Sequence, residues 1–163
     1  MTAKMAYGTT SVPIARSKEA IRRLLIAQGV RGVQFSEDFE ERRAHVRFAK
    51  LVDGNLRTVS IAMQIPDPPK PKRHSYRRAA VSTAKADQME RATYRALHYW
   101  LKSQFEAVQF GLLSFEDVFL SHFEWMIDGK TTTVGALIRP RLGDGLPLLT
   151  APSEYDTVDG EFR

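Results

Sequence analysis

The sequence predicts a single α+β domain of order α-β-β-β-α-α, in which an antiparallel three-stranded meander packs on a long helix and a small C-terminal hairpin is appended. Three observations carry this expectation. Runs 30–35, 44–51 and 56–65 place apolar residues at every second position, the strand period. Across 84–109 apolar residues recur at three- and four-residue steps, the helix period. Finally, Asp128-Gly129 sits between two short strand-forming runs, the composition of a tight hairpin turn.

Taken in order, Ser17 reads as the N-cap of a first helix over 18–28, because its hydroxyl can accept from the free amides of the first turn. Ala20, Ile21, Leu24 and Leu25 form its apolar face, and Gly29 ends it. In the meander, Val46 and Phe48 share the buried face with Val59, Ile61, Met63 and Ile65, whereas Arg47, Arg57 and Ser60 point away. The charged run 37–43 joins the first two strands, and Asp53-Gly54-Asn55 turns the second into the third. Pro66, Pro68, Pro69 and Pro71 stop the sheet, since proline cannot donate to a ladder. Residues 66–83 are expected to be an exposed arm inside a domain spanning 17–149, with flexible tails over 1–16 and 150–163.

Tyr94, Leu97, Leu101, Phe105 and Val108 set the apolar side of the long helix, widened by Met89 and Trp100. Gln88, Arg91, Arg95, His98, Lys102, Glu106 and Gln109 form one narrow wet stripe. Ser114 and Asp117 have the spacing of a capping box, which predicts a shorter helix through Phe123. A hairpin then pairs 125–127 with 131–134, and the chain beyond Pro140 reads as irregular. Both tryptophans, Trp100 and Trp125, are expected in the core.

The 163 residues suffice for one core, and 43% apolar with 26% charged residues is the composition of a folded chain. With no cysteine, thiolate nucleophiles, disulfides and iron–sulfur clusters are excluded. No apolar run is long enough to cross a bilayer and Met1 to Thr10 lacks a signal-like apolar core, so a cytoplasmic protein is expected. His122-Phe123-Glu124 has the histidine-x-glutamate spacing of zinc deaminases, but the cysteine ligands of that chemistry are missing. No phosphate-binding glycine loop, nucleophile elbow or metal-binding helix motif occurs, so neither enzymatic activity nor a cofactor is expected.

The net charge of +5 is unevenly distributed. Lys70, Lys72, Arg73, Arg77 and Arg78 crowd the proline-rich arm, where lysine and arginine can displace counterions from phosphates and Tyr76 can stack on an unpaired base. Arg91, Arg95 and Lys102 would extend that track along the long helix. The same residues are equally those of a solvated loop and a wet helix edge, and Lys102 can pair with Glu106 one turn on.

RATYRAL from Arg91, LKSQFEAV from Leu101 and GLLSFEDVFL from Gly111 resemble a family of small proteins of unassigned function encoded in tailed phages and prophages. Asp128-Gly129-Lys130-Thr131, Thr133-Val134-Gly135, Leu146-Pro147-Leu148-Leu149 and Ile65-Pro66 continue the likeness, while Tyr94 stands where the family has tryptophan. The resemblance implies a phage or prophage origin and a bacterial cytoplasm, and supplies no catalytic residue. The leading expectation is therefore a non-enzymatic nucleic-acid-binding accessory protein, DNA favoured, in phage replication or recombination. The alternatives are a module that inhibits or recruits a host protein and, after it, a metal-dependent nuclease. A homo-oligomer is compatible with each.

Overall fold

The computed structural model describes residues 6–67 and 78–143; at 78–83 and 143 it describes the backbone alone. Its order is α1 (Ile14–Ala27), β1 (Val30–Asp38), β2 (Arg43–Val52), β3 (Asn55–Gln64), α2 (Arg78–Gln109), α3 (Phe115–Phe119), a 3-10 turn (Leu120–His122), β4 (Glu124–Ile127), β5 (Lys130–Thr133) and α4 (Val134–Gly143). The α+β class, the meander, the long helix and the hairpin are as the sequence predicts, and no described helix is long and apolar enough to cross a membrane.

β2 is central, antiparallel to β1 and β3, with Val46 opposite both Phe35 and Ile61. Asp53 and Gly54 both take positive φ (46° and 80°), the hairpin geometry whose twist matches that of the strands. Asp128 and Gly129 repeat it at 50° and 74° between β4 and β5. A bulge between Val30 and Gly32 interrupts the start of β1.

One face of the sheet is covered. Ala44, Val46, Phe48, Val59 and Ile61 are buried against Ile21 and Leu25 of α1 and Tyr94, Leu97, Leu101 and Phe105 of α2. The two helices run in the same direction: Lys18 near the start of α1 lies 4.8 Å from the Tyr94 ring, and Gln109 donates to Gln28 (3.3 Å) where both helices end. Lys50 of β2 donates to the Gln28 carbonyl, satisfying an acceptor that the end of α1 leaves open. Phe48, Phe105, Phe115 and Phe119 form an aromatic cluster with ring centroids 4.8–6.3 Å apart. This cluster fixes α3 to the core, and the capping box holds its start, with Asp117 N donating to Ser114 Oγ at 3.0 Å and Ser114 N to Asp117 Oδ2 at 3.1 Å.

Three helix boundaries differ from the sequence reading. α1 starts at Ile14 rather than after Ser17, because Pro13 opens the helix; Ser17 occupies a buried position one turn in, and its hydroxyl caps nothing. α2 starts at Arg78, since the alanine-rich run after it sustains a helix that needs no apolar face there. α4 replaces the irregular end: Ala136 N donates to Thr133 Oγ1 (3.3 Å), a cap that reads in sequence as the end of a strand, and the helix continues through Pro140. A Cβ on Gly135 would meet the Ser121 carbonyl at 2.7 Å, so α4 approaches the 3-10 turn only because that residue is glycine.

Tyr94 is fully buried and its hydroxyl donates to Glu37 Oε1 at 2.8 Å, a carboxylate that also accepts from Lys18. The Lys18 hydrogen bond, with Tyr94 adding to it, holds the Glu37 carboxyl below its ordinary range, while burial pushes the Tyr94 phenol up. Glu90 shifts the opposite way, raised first by burial and then by Glu37. Its ionised form is therefore a burden on the folded state above its raised pKa, and the burden disappears below the unfolded value, where the carboxyl is neutral in both states.

Thermal melts across pH should accordingly show Glu90→Gln more stable than the parent at neutral pH, the gain vanishing as pH falls below about 4. A second expectation concerns the C-terminal helix. Gly135→Ala should displace α4 and lower both helical ellipticity and melting temperature, whereas Ala136→Gly, one residue on, should cost only about 1 kcal/mol of helix propensity.

Candidate nucleic-acid interface

Lys70, Lys72, Arg73, Tyr76 and Arg77 lie outside the described residues, and Arg78 opens α2. The described part of the cationic track is on α2 itself. At about 100° per residue, Arg91, Arg95 and Lys102 fall within roughly 40° of one another, and at about 1.5 Å per residue Arg91 lies about 20 Å and Lys102 about 36 Å along the axis from Arg78.

Their environments differ. Lys102 is exposed and lies 3.6 Å from Glu106, the expected pair. Arg95 donates to the Tyr99 hydroxyl (2.8 Å), its guanidinium 4.7 Å above that ring, and Tyr7 stacks on the same ring at 5.1 Å and 11°. Gln88 Nε2 donates to the Thr10 carbonyl at 2.8 Å. The chain around Tyr7–Thr10 thus lies across the upper part of the stripe that sequence periodicity leaves open to water. His98 is half-buried beneath it; burial first, then Arg95 and Lys102, lower its pKa, so the imidazole is neutral at pH 7.

Several other described cations have carboxylate partners. Arg22 and Arg23 hold Glu19 at 3.0 and 2.9 Å, Arg47 grips Glu124 through two 2.6 Å bonds, and Arg57 lies 3.9 Å from Glu116. Lys18 pairs with Glu37, and Arg43 with Glu41 at 3.6 Å. Arg42 approaches Asp67 to 3.2 Å without hydrogen-bond alignment and donates instead to the Pro66 carbonyl at 2.9 Å. Among the described residues, Arg91 and Arg95 have no carboxylate at ion-pair distance, and neither do Arg16, Arg31, Lys50, Lys85, Lys130, Arg139 and Arg141. Arg139 and Arg141 lie on α4, a helix that the sequence does not predict, and so are absent from the expected track.

Between α2 and β3 lies a cleft of about 560 Å³, floored by Ile61, Met63, Leu97 and Trp100. Among the described residues no charged side chain lines its wall; His122 closes one end, bound to the Ser60 backbone and held neutral by burial. Such a cleft offers nothing to a phosphate. Among the described residues no three His, Asp or Glu side chains come together to hold a metal, and Glu124 of the histidine-x-glutamate pair is bound to Arg47 instead.

Trp100 is half-buried, edge-on to Phe119 and His122 at 6.0 and 5.7 Å. Trp125 contradicts the core expectation: it is 58% exposed on β4, because a two-stranded hairpin packed by one end cannot cover a strand whose residues are apolar on both faces.

The described residues therefore define an α+β protein with a cationic helix edge, an uncharged cleft and an exposed aromatic hairpin. Comparison with protein-family models, curated proteins and solved structures finds no match for the chain.

The two tryptophans give a direct check on this placement. Trp125→Phe should shift the emission maximum to shorter wavelength and cut acrylamide quenching severalfold, leaving the shielded signal of Trp100.

Proposed function

We propose that the protein is a non-enzymatic nucleic-acid-binding accessory protein of a phage or prophage, acting on DNA in replication or recombination in the bacterial cytoplasm. Lys70, Lys72, Arg73, Arg77 and Arg78 neutralise phosphates, Tyr76 stacks on a base, and Arg91, Arg95 and Lys102 carry the track onward. The observation that supports this reading best is continuity. α2 begins at Arg78, so the sequence's densest cationic run leads directly into the helix bearing Arg91 and Arg95, which no described carboxylate neutralises. Arg95, braced flat on Tyr99, is already ordered, which lowers the entropy lost when it meets a phosphate.

Titration of labelled single- and double-stranded DNA at several salt concentrations tests the reading. Each lost phosphate contact should reduce the slope of log affinity against log salt by about 0.7 on single strands and about 0.9 on duplex. Arg91→Ala with Lys102→Ala, and separately Arg73→Ala with Arg77→Ala, should each flatten it by up to twice that. Absence of binding to any oligonucleotide at about 20 mM salt, where such contacts are strongest, would remove the proposal.

A second reading, a module that binds a host protein, is favoured by the high exposure of Phe110 and Leu112 after α2 and of Trp125 and Met126 on β4. Sub-micromolar affinity for a purified host protein, with no DNA signal at low salt, would select it.

A further inference from the structure

The cleft between α2 and β3 is open because α2 lines it with its shortest side chains. Ala92, Thr93 and Ala96 leave a space of about 560 Å³ over Ile61 and Met63 of β3. That size lies within the roughly 300–1,000 Å³ of small-molecule sites. An apolar wall left against water also favours any ligand that covers it, in proportion to the apolar area removed from solvent.

The chemistry of the wall decides what can enter. Among the described residues no charged side chain lines it, so a carboxylate, phosphate or ammonium would lose its water without gaining a partner. Two polar side chains are already committed: Thr93 Oγ1 donates to the Met89 carbonyl at 2.9 Å, and Gln64 Nε2 to the Glu41 and Arg42 carbonyls at 3.0 and 3.3 Å. Trp100 and His122 remain, together at one end. The bond from His122 to the Ser60 backbone stabilises the protonated ring, which identifies an imidazole N–H donating to the Ser60 carbonyl; the other nitrogen of the neutral ring is an acceptor. The two rings stand 5.7 Å apart at 78°, a corner in which a flat molecule stacks on one and meets the other edge-on.

We propose that the cleft is a binding site for a small, uncharged aromatic molecule bearing a hydroxyl or N–H group, its ring against Trp100 and its donor on the second nitrogen of His122. The site uses none of the cations assigned to nucleic acid, and it stands whether or not the protein binds DNA.

Calorimetric titration of the full chain at pH 7 with 1-naphthol, 1-methoxynaphthalene and 1-naphthoate tests it, since the three share a ring system and carry a donor, no donor and a negative charge. 1-Naphthol should bind with a sub-millimolar Kd, the ether about tenfold more weakly for want of one hydrogen bond, and the carboxylate not measurably. In Trp125→Phe, where Trp100 is the one indole left, 1-naphthol should shift the indole N–H resonance. Ala96→Leu, at an exposed helical position, should fill the cleft and weaken 1-naphthol at least about tenfold without lowering the melting temperature. His122→Phe keeps a ring in place and should bring 1-naphthol down to the affinity of the ether. No binding of 1-naphthol overturns the proposal and leaves the cleft to solvent or to the residues preceding Ala6. Binding that Ala96→Leu leaves unchanged overturns it by placing the site elsewhere, and equal affinity for 1-naphthol and its ether overturns the contact assigned to His122.

Discussion

A three-stranded sheet that the described residues cover on one face must bury that face completely, and this single demand organises the molecule. Ala44, Val46, Phe48, Val59 and Ile61 are removed from water by two helices laid side by side, and α2 is the one that also reaches the aromatic cluster and α3. Burying Tyr94 at the centre of that contact places a phenol where water cannot reach it. An unsatisfied hydroxyl there would cost about 1–3 kcal/mol, and Glu37 at the far end of β1 supplies the acceptor. The cost reappears at Glu90, whose ionised carboxyl is pressed by burial and by Glu37 together.

Periodicity makes the meander legible: β2 and β3 alternate, and the β2–β3 and β4–β5 hairpins each have an Asp-Gly pair at the two positions with positive φ in the turn. Helix interiors were equally clear, but their ends were not. At Ser17 a residue suited to capping lies one turn inside the helix that Pro13 opens, and a residue's preference for caps cannot register which turn the core requires. At Thr133 the reverse holds, since a β-branched run followed by Gly135 and Pro140 disguises a cap and a helix docked on the Ser121 backbone. The cationic stripe on α2 was readable as an angle, whereas the turn at Tyr7–Thr10 that crosses it depends on a tertiary stacking contact absent from any local pattern. Trp125 departs from expectation for a related reason: composition marks it as apolar and gives no sign that the described residues leave 58% of it exposed.

Charge is handled in two ways. Around α1 and the sheet, several arginines and lysines are met by carboxylates close in space, as at Glu19, Glu37 and Glu124. On α2, Arg95 is packed by neutral groups instead, an aromatic face and a phenolic oxygen. Ion pairs of the first kind are worth little to stability at the surface, so their main effect is to cancel positive charge locally.

The bulge between Val30 and Gly32 bears on how such chains avoid uncontrolled self-assembly. β1 is an outer strand, and a straight ribbon in that place would offer its free amides and carbonyls to any extended neighbour. The kink, with Arg31 at its apex and Glu37 and Asp38 at the other end of the strand, spoils the regular spacing that fibre-like growth needs. Open-ended stacking through backbone pairing is thereby discouraged on that side.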